Sequence, residues 1–190
     1  MSTVLIITGS PSLTSKTELV GKHIAQRLSA SDCDAEHLRL RTLPAAPLLG
    51  ADTSNAEIAD AVNRVAKADG IVLATPTFKA AYSGLLKTFL DLLPQYAFAG
   101  KVVLPLATGG SLAHVLALDY GLRPVVHSMG ARQVVQSFFL LSSHLFVEED
   151  RLSIDPASEG PLEGVLAQFQ DALDCTPRRT AFLTTADAEV

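Results

Sequence analysis

Three short polar stretches each follow an apolar run: residues 9–17 (GSPSLTSKT), 75–84 (TPTFKAAYSG) and 107–114 (ATGGSLAH). The first offers hydroxyls at Ser10, Ser12, Thr14, Ser15 and Thr17, a cation at Lys16, and the amides of a helix about to begin. Several donors beside the positive end of a helix dipole make a phosphate cradle. Two familiar nucleotide loops are excluded. The pattern G-x-x-x-x-G-K-[ST] counted from Gly9 needs glycine where Thr14 stands, and Lys16 falls one place late; G-x-G-x-x-G has only Gly9. The plainer alternative is a Ser/Thr-rich loop that merely caps its own helix.

In the second stretch Pro76 stiffens the backbone next to Thr77, Phe78 offers a stacking face, and Lys79 places a charge near the same spot. In the third, Thr108, Gly109, Gly110 and Ser111 let the backbone approach a flat ligand closely, because glycine has no side chain to hold it off; a simple tight turn is the competing reading. If the three loops share one sheet edge, they form a phosphate socket at one end and a planar slot at the other, which is the shape of flavin mononucleotide (FMN). No Ser-His-Asp or paired-carboxylate constellation occurs in these loops, and His114 falls on a helix beside them. Chemistry therefore belongs to a cofactor: the protein would hold nicotinamide C4 near flavin N5 and exclude competing reactions.

Positioning these loops requires strands that end together. Residues 3–8 (TVLIIT) form a continuous apolar, β-branched run, the mark of a strand buried on both faces of a parallel sheet. Residues 17–28 then place Leu19, Val20, Ile24, Ala25 and Leu28 on one helical face. A second strand at 35–40 and an irregular Pro-rich connection (TLPAAPLLG) lead to a helix at 55–67 with Ser54 or Asn55 as its cap. Strand three covers 70–75, and Ser83 caps a helix at 84–93 that Pro94 stops. Strand four covers 101–107, with Pro105 implying a bulge or strand end. From Ser111 a helix turning Leu112, Val115, Leu116 and Leu118 inward runs towards Pro124. A fifth strand at 131–135, which residues 137–141 extend, precedes a polar, acidic stretch and a last helix at 162–173. This alternation predicts an α/β doubly wound fold: a five-stranded parallel sheet in order 2-1-3-4-5 with helices on both faces. Ligands bind such sheets beyond the carboxyl ends of the strands, at the switch point between strands one and three, which the loops at Gly9 and Thr75 flank.

The 190 residues suit one domain, 1–175, followed by a tail at 176–190 that is flexible or packs on a neighbouring subunit through Phe182 and Leu183. Though 48% of the residues are hydrophobic, their runs are far shorter than the roughly 20 that cross a bilayer, and the N-terminus lacks the basic region and cleavage site of a signal peptide. A cytoplasmic protein with no membrane partner is expected. Cys33 and Cys175 lie outside any metal or disulfide spacing, so reduced thiols and no metal are expected. A net charge of −5 argues against nucleic acid as a partner, so any phosphate must be caught locally. Arg39 and Arg41 are read as a solvated strand edge, with a contact to NADPH as the alternative.

Longer segments carry a family resemblance: GSPS…S at residues 9–15, ADGIVLATPTFKAAYSGLLKTFLDLLP at 68–94, and GKVVLPLATGGSLAHVLALDYGLRPV at 100–125. In these the chain resembles NADPH-dependent FMN reductases of the flavodoxin-like superfamily, and most of all the reductase component of two-component alkanesulfonate monooxygenase systems. The resemblance implies a flavodoxin-like sandwich, reduction of FMN by NADPH or NADH, and delivery of reduced flavin to a partner monooxygenase in organosulfonate sulfur assimilation. It implies that Ser10, Ser15, Lys16 and Thr17 take the flavin phosphate, and that Pro76, Thr77, Phe78 and Lys79 with Thr108, Gly109, Gly110 and Ser111 take the ring and ribityl chain. It also implies a one-residue π insertion at Tyr120, tied in that family to flavin that comes and goes and to packing in a dimer or tetramer. The family's first loop often carries an arginine after Ser-Pro, where this chain has Ser12 and Leu13. Two other readings stand beside it: a flavodoxin-like electron carrier with tightly bound FMN, and an NAD(P)H quinone or azo-dye reductase.

Overall fold

The computed structural model describes residues 1–149 and 151–176; the expected tail at 176–190 lies, beyond its first residue, outside them. In chain order the elements are β1 (Ser2–Thr8), α1 (Lys16–Ser29), β2 (Cys33–Arg39), α2 (Ala45–Leu49), α3 (Ala56–Lys67), β3 (Gly70–Phe78), β4 (Ala81–Tyr82), α4 (Gly84–Leu90), β5 (Val102–Gly109), α5 (Arg123–Ser128), β6 (Gln133–Val134), β7 (Phe138–Leu141), β8 (Leu145–Glu148), β9 (Arg151–Ile154) and α6 (Pro156–Cys175).

The strands run β2-β1-β3-β5, all parallel, with β6 and β7 following one another along the outer side of β5. This is the expected 2-1-3-4-5 order with its fifth strand broken in two. Pro105 explains how the break is tolerated. It causes no bulge, since β3 and β5 pair without interruption from Gly70↔Val102 to Pro76↔Thr108. The carbonyl of Val103 accepts from Val135 N, so alternate residues of β5 face the outer strand, and Pro105, which has no N–H, falls between the β6 and β7 pairings.

Alternation along each strand feeds two cores. Leu5, Ile7, Ile71, Leu73 and Val103 point towards α3, α4 and α5, where Ile58, Val65, Leu86, Phe89 and Val126 meet them. Val4, Ile6, Val72, Leu104 and Leu106 point to the other face, towards Val20 and Ile24 of α1 and Leu162, Leu166 and Phe169 of α6. Both faces are covered, which is why these strands are apolar runs rather than alternating ones.

Several connections differ from expectation. The Pro-rich segment is not irregular: it holds a short 3-10 turn (Leu40–Thr42) and α2, which buries Leu48. The polar stretch after residue 142 hides the antiparallel hairpin β8–β9, too short to show a period. Helix α6 starts at Pro156, six residues before the expected start, with Asp155 capping Ala157 N and proline pre-set for a first turn. Conversely α4 ends at Leu90.

Where α1 crosses β1 and β2, Gly21 is required: a Cβ there would stand 2.4 Å from Thr8 Cγ2 and 2.9 Å from His37 Nε2. Thr8 Oγ1 and His37 Nε2 are 3.0 Å apart. Burial, opposed by the charge of Glu18 and reinforced by Arg39 and Arg64, pulls the His37 pKa from 6.5 to about 4. The folded state thus favours the neutral ring, so stability from this site is complete above pH 6.5 and is lost as pH falls towards 4. Because the ring is only partly shielded from water, the expected loss is on the order of 1–2 kcal/mol. Urea midpoints measured across that window should fall, and His37→Gln should flatten the dependence; an equally steep fall in the variant would assign it to another group.

Candidate functional site

The three polar loops leave the sheet at one edge and are tied together by hydroxyls. Gly9 N donates to Ala74 O at 2.9 Å, holding the first loop against the end of β3. Ser83, buried and extended at the N-cap of α4, accepts from Leu86 N at 3.1 Å and donates its Oγ to Gly9 O. Its own amide donates to Thr75 Oγ1 at 2.9 Å, which passes its hydrogen to Pro76 O. Between the first and third loops, Thr17 Oγ1 and Thr108 Oγ1 meet at 2.6 Å, both buried. Ser83, expected only as a cap, thus also joins the first two loops, a role that the Ser-Gly pair ahead of α4 does not signal.

Within the first loop Ser10 and Ser15 are buried; Ser10 Oγ accepts from Ser12 N, and Ser15 Oγ caps α1 by accepting from Glu18 N at 3.1 Å. Leu19 N takes the first intrahelical bond, to Ser15 O, so the amides of Lys16 and Thr17 have no acceptor among the described residues. Two orphan amides at a helix N-terminus, ringed by hydroxyls, fit a phosphate. Lys16 is placed differently from the expectation that it faces that phosphate. Its Nζ donates to Ser142 O at 2.7 Å and Leu145 O at 2.8 Å, bracing α1 against the chain that follows β7.

The second loop, expected as an irregular strand-to-helix connection, is a hairpin. Strand β3 continues through Thr77 and Phe78 and turns back, pairing Thr77 with Tyr82 and Phe78 with Ala81. Both turn residues, Lys79 (φ 51°) and Ala80 (φ 61°), are left-handed. That matches strand twist, but without Asn or Gly it costs roughly 1 kcal/mol or more per residue. Pro76 is buried, Thr77 half-buried, and Phe78 and Lys79 are exposed on the hairpin.

In the third loop Gly109 closes β5, where a Cβ would come within 2.6 Å of Phe139 Cζ and 3.3 Å of Thr77 Oγ1. Gly110 has open space, and Ser111 Oγ caps the 3-10 turn Leu112–His114 by accepting from Ala113 N. The helix expected from Ser111 is therefore corrected: Leu112, Val115 and Leu116 are exposed and only Leu118 is buried. A π-turn spans Leu118–Leu122, where Arg123 N donates to Leu118 O, and Tyr120 in its middle is 78% exposed. His114 is half-buried in the 3-10 turn. Arg41 grips Glu18 through Nε at 2.6 Å and Nη2 at 2.9 Å, with Arg39 at 3.6 Å. Burial alone would raise the Glu18 carboxyl pKa, but these arginines bring it below its usual value. No cluster of three His, Cys, Asp or Glu side chains among the described residues is arranged to hold a metal.

A parallel 2-1-3-4-5 sheet with helices on both faces and three polar loops gathered at one end, the first of them rich in hydroxyls, defines a flavodoxin-like fold. A model of the NADPH-dependent FMN reductases matches residues 2–145. FMN reductase (NADPH) of Escherichia coli K12 is 37% identical over 170 residues, 90% of this chain and 89% of that one. The enzyme of the same name in Pseudomonas putida KT2440 is 39% identical over 180 residues, 94% and 91% of the two chains. Among solved structures, the apo form of the NADH:FMN oxidoreductase EmoB superposes with a TM-score of 0.84 at 44% identity, covering 93% of this chain and 92% of that one. The chain belongs to the NADPH-dependent FMN reductase family, and is an NAD(P)H:FMN oxidoreductase.

Proposed function

We propose that FMN sits across the three loops with its phosphate on residues 10–17, and that the reduced flavin is released to a flavin-dependent monooxygenase acting on organosulfonates. The observation that carries the first part is the pair of orphan amides at Lys16 and Thr17 beside the buried hydroxyls of Ser10, Ser15 and Thr17. Thr17 is fixed by Thr108, so the phosphate end and the slot end move as one piece. Pro76, Thr77, Phe78 and Lys79 supply one wall of that slot, and Thr108, Gly109, Gly110 and Ser111 the other. Lys16 contributes its amide, while its ammonium is engaged as a brace. Bound FMN supplies the two-electron chemistry; the protein orients the ring and keeps water from it.

The release step rests on the family resemblance, and an exposed apolar stripe bears on assembly. Leu112, Val115, Leu116 and Tyr120 follow helical spacing yet are 61%, 41%, 55% and 78% exposed. Stripes of this kind are interaction surfaces, and we assign this one to a homodimer or homotetramer of a cytoplasmic enzyme whose two cysteines are free thiols.

Steady-state oxidation of NADPH and NADH, measured with FMN, a quinone and an azo dye as separate acceptors, tests the reading. Turnover that needs added FMN and exceeds that with the other acceptors is expected. Flavin that stays through desalting, with no nicotinamide oxidation, would instead establish an electron carrier, and a quinone or dye preference would establish the third activity.

A further inference from the structure

The π-turn Leu118–Leu122 is an unfavourable conformation, since the α register is available to almost any sequence. Pro124, which has no N–H to donate to Tyr120 O, weakens the α register at this point, and a contact outside the turn must fix the π one. Tyr120 does not, because its side chain projects into solvent. One turn further on, Arg123 makes four hydrogen bonds: Nε to Asp119 Oδ1 at 3.1 Å, Nη1 to Val134 O at 3.2 Å, and Nη2 to Val135 O at 3.0 Å and Ser137 Oγ at 2.9 Å. Ser137 Oγ closes the ring by donating to Asp119 Oδ1 at 2.9 Å.

Val134 ends β6, which is the edge of the sheet, and Val135 lies in the gap before β7, so both carbonyls can accept from outside the sheet. The guanidinium therefore docks into the break that Pro105 faces. Return of the turn to the α register would remove one residue from the helix and rotate everything after it by about 100°, taking Arg123 off all of its strand partners at once.

We propose that Arg123, locked by Asp119 and Ser137 onto the broken outer strand, is the positioning residue that holds residues 118–122 in the π register. The consequence reaches the flavin slot through Gly121, whose Cβ position lies 3.8 Å from Tyr82 Cδ1 and Cε1 on the β3–β4 hairpin. The turn acts as a prop behind that wall. Its effect on FMN rests on the flavin site proposed above; the register itself does not.

Amide hydrogen exchange on apo wild type, Arg123→Gln, Arg123→Lys and Ser137→Ala tests it, with FMN dissociation constants taken from fluorescence titration of the same samples. Arg123→Gln should speed exchange over residues 118–123 at least tenfold, including the Arg123 amide that donates to Leu118 O, while amides of β1 and β3 stay within twofold. Arg123→Lys, which can still reach the strand carbonyls, should recover part of the protection. Ser137→Ala should show a smaller change of the same kind, and carries the test if Arg123→Gln does not fold. With the prop released, the hairpin should close further on FMN and the dissociation constant should fall at least fivefold. Exchange over 118–123 within twofold of wild type, or raised equally in the strands, would overturn the proposal. Local deprotection in a protein that binds no FMN would uphold it and overturn the flavin reading instead.

Discussion

Gly9→Ala should lower unfolding free energy by about 3 kcal/mol, combining overpacking with a lost buried hydrogen bond, and should raise the FMN dissociation constant at least tenfold. A Cβ at this position would stand 2.7 Å from Leu86 Cβ, 3.0 Å from Ser83 Oγ and 3.3 Å from Leu86 Cα. The last of these is backbone, so no rotamer change relieves the clash and α4 must retreat. Retreat breaks the bond from Ser83 Oγ to Gly9 O and disturbs the one from Ser83 N to Thr75 Oγ1, so the first two loops come apart together. Gly110→Ala is the matched control. Nothing lies within 4 Å of its Cβ position, and its stability should change by no more than about 0.5 kcal/mol. Urea midpoints on both variants give the stability comparison, and flavin fluorescence titration of Gly9→Ala gives the effect on binding; an equal loss of stability at the two glycines would show that close packing at Gly9 does not organise the site.

That contrast also marks what the sequence could convey. Strand identity was legible because fully buried parallel strands are unbroken apolar runs, as in residues 70–75, and the order followed from handed crossovers. The edge on which the loops gather was legible for the same reason. Which glycine is indispensable was not, since it depends on Leu86, a neighbour 77 positions away in the chain, approaching Gly9. Helical spacing was misleading at Leu112, Val115 and Leu116: the period is present, but the stripe faces outward and the local backbone is a 3-10 turn. The hairpin at Lys79–Ala80 escaped because its turn lacks the Asn-Gly signature, and its exposed left-handed residues are held by the flanking pairs Thr77–Tyr82 and Phe78–Ala81 rather than by local preference. Lys16 had the composition of a phosphate ligand, yet the fold brings two strand-end carbonyls within its reach first. The ring of Asp119, Arg123 and Ser137 joins residues up to 18 positions apart across an interruption in a strand, which no local pattern announces.

Replacing Tyr120 with alanine should leave the monomer's stability within about 0.5 kcal/mol of wild type, because a side chain 78% exposed has little packing to lose. Its effects should appear in assembly and in flavin exchange. Tyr120 is the largest member of the apolar stripe with Leu112, Val115 and Leu116, and truncating a central aromatic at a protein interface typically costs 2 kcal/mol or more, about a thirtyfold weakening. Sedimentation or light scattering should therefore show smaller species at concentrations where wild type is assembled. In the same variant the π-turn stays anchored by Arg123, and what is lost is the neighbouring subunit's contact at Tyr120, the residue that the family resemblance ties to flavin that comes and goes. FMN should then be held at least tenfold more tightly and survive desalting, with turnover limited by flavin release. Tyr120→Phe keeps the ring and should behave as wild type if the contact is apolar. Unchanged assembly and unchanged FMN affinity in Tyr120→Ala would remove this residue from both roles, and would leave the stripe without its proposed occupant.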